Sequence, residues 1–405
     1  MGETVTGVCI EVGTRRMTRR LLASVLLLSA SATHAASLSD QLGIFQPGEV
    51  TITPSILRMQ QALARATDFP ATTTTPGFTY RFDPASGAYE RVSGTLGPAF
   101  LERAETIGAG RWDLSVSYLY ARFTRINGES LSESLSSKFL VKNGELIVPQ
   151  QIQTRDFSLT SNVVYFSGTY GVDDNTDVNL LVPVYYTSMR GDRRFLVLGQ
   201  PGSFESLDGN AFGPGDVLLR GKHRFFERDG WDVAAGLTLH LPSGSEANFQ
   251  GIGNVVVTPS LVASWIGPAW EVHGSVGIDI NAGDLQQSGV RYGAGVEWAP
   301  FERLTLLTEV IGTSGFSTDD LSFFVPDRRL VSIRGEFNPP LVARAVGNGT
   351  EFTTTINRTD IVDLAVGFKV NVFGDLICFA SAIVPLTEDG ARANVIPVAG
   401  IQYGF

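Results

Sequence analysis

The chain has 405 residues, of which only 18% are charged, with 44 glycines and a formal net charge of −10. That length holds one large barrel or two ordinary domains, and the acidic balance argues against nucleic acid as a partner. Past the amino-terminal region no apolar run reaches about 18 residues, which excludes a transmembrane helix and leaves a closed barrel as the remaining way across a bilayer.

Arg15, Arg16, Arg19 and Arg20 precede the apolar stretch Leu21 to Ala32, and Thr33-His34-Ala35 follows. A basic region, a short apolar core and a small residue at the end predict a cleaved secretory leader over residues 17–35, cut after Ala35. Met17 is then the expected start, and residues 1–16, with Cys9, an upstream start error. Only Cys378 remains afterwards, so no disulfide framework is expected. Removing residues 1–35 leaves 27 basic and 39 acidic residues, a net charge of −12.

Residues 36–105 do not carry barrel patterning. Ile56, Met59 and Leu63 fall on one helical face. Thr72 to Pro76 reads as a loop. Phe78–Phe82 and Ala88–Val92 flank Asp83-Pro-Ala-Ser-Gly87, a hairpin signal. This segment is expected to be either a plug in a barrel lumen or a periplasmic appendage.

From Arg111 onwards twelve strands are predicted, near 111–125, 154–170, 176–189, 215–226, 230–242, 253–266, 269–281, 288–299, 303–313, 358–373, 376–386 and 394–405. Trp112, Leu114, Val116 and Tyr118 alternate with Asp113, Ser115 and Ser117, and Trp270, Val272, Val276 and Ile278 with Glu271, His273, Ser275 and Asp279. The last strand sets Val395, Pro397, Ala399, Ile401, Tyr403 and Phe405 on one face and ends the chain on an aromatic residue. Alternation alone also suits a soluble sandwich. Three further features favour a twelve-stranded antiparallel transmembrane β-barrel over residues 106–405. Short connections follow the even-numbered strands and longer ones the odd-numbered strands. The strand count is even. Trp112, Trp231, Trp265, Trp270 and Trp298, with Phe405, gather on the apolar face at the short-turn level, as an aromatic girdle does.

The stretches Glu105-Thr-Ile-Gly-Ala-Gly-Arg-Trp-Asp-Leu-Ser-Val-Ser-Tyr118, Gly215-Asp216 and Leu241-Pro-Ser-Gly244 resemble the outer-membrane transporter family named for the meta-cleavage pathway of phenol degradation. That family is itself distantly similar to barrels passing long-chain fatty acids and aromatic hydrocarbons. The resemblance spans roughly residues 100–405. Its motifs are short, and the usual Leu-Pro-Thr-Gly is Leu-Pro-Ser-Gly here. It implies a Gram-negative outer-membrane location and passive uptake of small hydrophobic or aromatic molecules, with no solute site carried over. The terminal strand resembles the signal read by the barrel-assembly machinery, so that machinery and outer-membrane lipid are the expected partners.

Strand parity assigns Arg220, Lys222, Arg224, Glu271, His273, Asp279, Arg291, Glu297, Glu309, Asp363 and Lys369 to the lumen. They form either a charge network that fills the barrel or a mixed-charge solute path. Arg220, Lys222 and Arg224 make a basic row that, unpaired, would favour anionic solutes. Twelve strands fall between self-filled and open barrels, so a narrow or blocked pore is expected. His273 and Ser275 share a face, which keeps a membrane-embedded lipid hydrolase as a minor alternative, but no third orienting group or nucleophile elbow accompanies them. A structural or adhesive barrel with a filled lumen is the other alternative. No catalytic residue, cofactor or metal is assigned, because the four histidines and Cys378 lack zinc-ligand spacing. Asp173-Asp174 and Asp319-Asp320 are acidic loop pairs that could touch calcium. Phe323-Phe324 and Pro339-Pro340 lie in a long loop, either packed on itself or open as an apolar landing surface.

Overall fold

A computed structural model describes residues 37–41, 50–52, 77, 79–83, 88–91, 93–126, 128–133, 135–142, 145–197, 200–316, 319–325, 341–346, 349–356 and 358–405. The expected leader, residues 1–16, the helical stretch 55–66 and Pro339-Pro340 lie outside the described residues. Leu38–Phe405 form one compact unit.

Twelve antiparallel strands close into a ring. They are β1 (Trp112–Ile126), β2 (Glu145–Asp173), β3 (Thr176–Val197), β4 (Val217–Arg228), β5 (Trp231–Leu241), β6 (Val256–Ile266), β7 (Trp270–Asn281), β8 (Gly289–Phe301), β9 (Leu304–Gly315), β10 (Asp360–Phe373), β11 (Leu376–Pro385) and β12 (Ile396–Gly404). β12 pairs with β1, and Trp112 and Phe405 exchange backbone hydrogen bonds of 2.8 Å in both directions. Closure leaves no ring strand with an unpaired edge, which is what a hydrocarbon surrounding demands of a sheet.

The side chains sort as the alternation predicts. Leu114, Val116, Tyr118, Val272, Val276 and Ile278 are exposed, while Asp113, Ser117, Glu271 and His273 between them are buried. A barrel in water would bury the first set and expose the second; this one does the reverse, as a lipid-facing barrel must. Trp112, Trp231, Trp270 and Trp298 are all exposed. Trp265 is half-buried beside Trp231, and the rings of Trp270 and Trp298 stack at 5.3 Å. All five stand at the strand ends joined by short turns, together with exposed Phe225, Phe373 and Phe405. Rings with an apolar body and a polar N–H settle at that depth between lipid tail and water.

Those turns are tight. In Asp229-Gly230 both residues have positive φ, 52° and 80°, the backbone of a two-residue hairpin whose twist matches its strands. At the β2–β3 turn the Asn175 amide donates to Asp173 Oδ1 at 2.7 Å, which holds that carboxyl below the usual carboxylate range. The neighbouring Asp174 carboxylate accepts the Ala109 amide at 3.2 Å. This acidic pair builds the turn rather than a calcium loop.

The long connections are more ordered than expected. β2 runs well beyond the predicted 154–170, and Leu135–Lys142 pairs with its extension. Glu205–Pro214, expected as loop, is a strand on the same partner as β4: β3 pairs with Glu205–Pro214 over Pro214↔Val184 to Glu205↔Arg193 and with β4 further down. The 316–359 connection carries its own sheet of Asp319–Val325, Leu341–Val346 and Gly349–Ile356, with Phe323 and Phe324 on its first strand. In the amino-terminal region Tyr80–Asp83 and Ala88–Arg91 form the expected hairpin.

Candidate functional site

Residues 93–108 follow that hairpin and run inside the ring. Thr95, Leu96, Ala99, Phe100, Leu101, Arg103, Ala104, Glu105, Thr106 and Ile107 are all buried. Among the described residues the stretch has no sheet partner, so its amides need side-chain acceptors. The inward faces supply them. Thr95 N donates to Glu271 Oε1 (3.2 Å), Leu96 N to Thr305 Oγ1 (2.8 Å), Ala99 N to Glu309 Oε1 (2.9 Å), Phe100 N to Glu309 Oε2 (3.1 Å), Ala104 N to Ser264 Oγ (2.8 Å) and Ile107 N to the Asp177 carboxylate (3.3 Å). Gly108 and Gly110, with φ of 92° and 73°, then turn the chain into β1. The wall gives way there: a Cβ on Gly171 would lie 1.9 Å from the Gly108 carbonyl oxygen.

Charged side chains complete the contact. Arg103 Nη1 lies 3.3 Å from Glu271 Oε2. Lys222 Nζ donates to the carbonyl oxygens of Arg103 (2.9 Å) and Glu105 (2.7 Å) and stands 3.8 Å from Asp177 Oδ2. Arg224 meets Asp232 at 3.5 Å and donates to Asn175 Oδ1 at 2.9 Å. Lys369 is buried over the Phe379 ring at 5.6 Å. His273 Nδ1 is 3.2 Å from Glu297 Oε1 and His273 Nε2 is 3.9 Å from Glu309 Oε1. Within this layer, the described buried acids Asp113, Asp177, Asp232, Glu105, Glu271, Glu297 and Glu309 outnumber the buried cations Arg103, Lys222, Arg224 and Lys369.

Above the layer, in the half of the barrel towards the long connections, lies a cavity of about 240 Å³. Phe100, Leu101 and Glu102 of the inner segment line it on one side. Its walls mix Leu218, Val256, Val262, Ile311 and Ile361 with His240, Tyr292, Thr258 and Ser275. Its charges are paired: Arg220 with Glu102 (3.7 Å), Arg291 with Asp279 (3.1 Å) and Asp363 with Arg392 (2.9 Å).

Every one of the eleven residues assigned to the lumen by parity thus lies on the inward face, but the structure divides them. Arg220, Asp279, Arg291 and Asp363 line the cavity; Lys222, Arg224, Glu271, His273, Glu297, Glu309 and Lys369 lie in the packed layer around the inner segment. The basic row is partnered by Glu102, Asp177 and Asp232 rather than standing free, so it gives no basis for anion selectivity. Ser275 lines the cavity while His273 is turned to Glu297 and Glu309 beneath, so the two do not form a nucleophile–base pair. His223 points outwards and meets Thr176 Oγ1 at 3.0 Å. The sequence reading missed Arg103, Glu102 and Arg392. Charged residues inside a stretch as small and apolar as Gly94–Gly110 are the signal for the first two.

The two short motifs meet beside Ile252, which lines the cavity. Asp216 is buried and accepts the amides of Gly244 (2.9 Å) and Ile252 (2.7 Å), and Ser243 Oγ donates to the Gly215 carbonyl at 2.8 Å. Gly215-Asp216 and Leu241–Gly244 are therefore two halves of one clasp, which folds residues 243–252 against the barrel mouth.

A model of the family described as “Putative MetA-pathway of phenol degradation” matches residues 136–321, a span that contains both halves of the clasp. The resemblance drawn from the sequence is confirmed. The matched span runs from ahead of β2 through β9 and leaves out the Glu105–Tyr118 stretch. No curated protein sequence matches the chain. Similar solved structures include an outer membrane channel from Pseudomonas putida F1 (15% identity, 75% of this chain and 98% of that one covered, TM-score 0.46). They also include a Pseudomonas aeruginosa FadL homologue (9%, 74% and 89%, 0.31) and the Pseudomonas putida toluene transporter TodX (10%, 73% and 87%, 0.28).

Proposed function

We propose that the chain is an outer-membrane channel for passive uptake of small hydrophobic or aromatic molecules, in which residues 93–108 serve as a plug. The carrying observation is the cavity of about 240 Å³, apolar over much of its wall, with every charge on that wall paired. Such a lining takes a greasy solute with one or two polar atoms better than a free ion. The family resemblance points the same way. Outer-membrane lipid around the girdle and the barrel-assembly machinery at the Phe405 strand are the partners in this reading, and no catalytic role is assigned.

The packed layer favours a second reading, a structural barrel with a filled lumen. Uptake of a labelled aromatic solute separates the two, measured in cells whose lipopolysaccharide leaflet slows entry of such molecules. Expression of the chain is expected to speed entry, and Thr258→Trp, which fills the cavity, to abolish the gain. Equal entry with wild type, Thr258→Trp and empty cells would leave the structural reading standing.

A further inference from the structure

Three inward residues on adjacent strands come together beneath the cavity: His273 on β7, Glu297 on β8 and Glu309 on β9. Nitrogen and carboxylate oxygen atoms from the three lie within 4.8 Å of one another. The sheet arranges this through Gly295. His273 pairs with Gly295 and Gly295 with Glu309, so one row of the wall reads His, Gly, Glu, with Glu297 two residues along the middle strand. A Cβ on Gly295 would sit 2.5 Å from His273 Nε2 and 3.1 Å from Glu309 Cγ. Glycine there leaves the space between imidazole and carboxylate open.

The hydrogen bonding around the three is incomplete in a telling way. Glu297 Oε2 accepts from Thr95 Oγ1 at 2.8 Å, and Glu309 accepts the Ala99 and Phe100 amides. Among the described residues, Glu297 Oε1 and His273 Nε2, on side chains at least 97% buried, have no hydrogen-bond partner, although Glu297 Oε1 lies 3.2 Å from His273 Nδ1. A buried carboxylate oxygen and a buried imidazole nitrogen left bare are each costly. The surrounding layer also holds more acids than cations.

We infer that His273, Glu297 and Glu309 form a buried site for one divalent transition-metal ion of the zinc type. One imidazole nitrogen and two carboxylate oxygens suit Zn²⁺, at about 2.0–2.2 Å from each ligand. One ligand atom from each residue lies within 4.8 Å of the other two, and because Glu309 approaches Nε2 (3.9 Å) while Glu297 lies nearer Nδ1 (3.2 Å), binding through Nε2 requires the Glu297 carboxylate to swing towards the gap beside Gly295. The ion would occupy the gap beside Gly295 and offset part of the acid excess. Thr95, Ala99 and Phe100 already donate hydrogen bonds to its two carboxylates, so the ion would fasten the inner segment to the wall. This site was not legible from linear spacing, because its ligands are joined across strands rather than along one. It does not depend on the solute-uptake reading.

The test is metal content. Full-length protein is refolded into detergent with Zn²⁺ present, since the site is enclosed, then freed of loose metal by gel filtration and analysed by mass spectrometry. One zinc per chain is expected in wild type and in the cavity variant Asp279→Asn. His273→Gln, Glu297→Gln and Gly295→Ala are expected to weaken retention by at least about 10-fold, the lower end of what changes even to a ligand's neighbours cost. Barrel folding is checked by heat-dependent gel mobility. Should the variants fail to fold, Co²⁺-loaded wild type decides: a low-coordinate visible spectrum with imidazole nitrogen coupling supports the site. Folded wild type without stoichiometric metal, or zinc retained equally by His273→Gln and Glu297→Gln, overturns it.

Discussion

Replacing Lys222 by Met tests how the inner segment is held. The ammonium donates to two carbonyl oxygens of that segment and neutralises Asp177, all within a region that water does not reach. Methionine keeps the length of the side chain but removes every one of these interactions, and Asp177 remains buried with the Ile107 amide. Breaking a buried pair in this way costs about 3–5 kcal/mol. At 1.4 kcal/mol per tenfold, about 4 kcal/mol raises the population of the released segment roughly a thousandfold. Arg220→Met is the comparison, since its partner Glu102 is 3.7 Å away and partly solvated, and such a pair is worth about 1 kcal/mol or less. Hydrogen exchange over residues 93–108 in detergent reads the difference, and single-channel conductance reads its consequence. Lys222→Met should lose protection there and show longer or larger openings, while Arg220→Met stays near wild type. Protection unchanged in Lys222→Met, with the ring intact by gel mobility, would refute the reasoning.

Three other outcomes follow from the same geometry. Val276→Arg places a charge at mid-strand on the outer face and should cost about 2–4 kcal/mol of stability in lipid vesicles, read by urea titration. Gly171→Ala forces a methyl against the Gly108 carbonyl and should cost about 1–3 kcal/mol, visible as a lower urea midpoint with an unchanged slope. Asp216→Ala removes two charge-assisted bonds of about 1.5–3 kcal/mol each, so residues 243–252 should become the first site of proteolytic nicking while the ring survives.

The ring was legible because lipid and lumen demand opposite chemistry at every second residue. Each of the twelve predicted strands is present, and the parity of Trp112, Asp113, Trp270 and Glu271 carried directly into space. What the sequence hid were contacts without a period. The inner segment has no sheet or helix to betray it; its place depends on Glu271, Glu309 and Asp177 reaching across the lumen. Gly209, Gly213 and Pro214 interrupt the alternation of Glu205–Pro214, which hides it among the long connections, yet β3 extends far enough to hold it. His273, Glu297 and Glu309 have no motif spacing, and only the pairing through Gly295 makes them neighbours.

The seam at Trp112 and Phe405 bears on how the molecule is made. The Phe405 carbonyl and amide are the outermost rung of a ladder that joins β12 to β1 from Val398↔Leu119 to Gly404↔Asp113. β1 is held by β2 on one edge, so the cylinder shuts only when β12 meets the other, and until then β1 offers a bare flank to any passing strand. A delay in that last pairing therefore turns a protected wall into a template for mispairing, with every rung from Leu119 to Trp112 open at once.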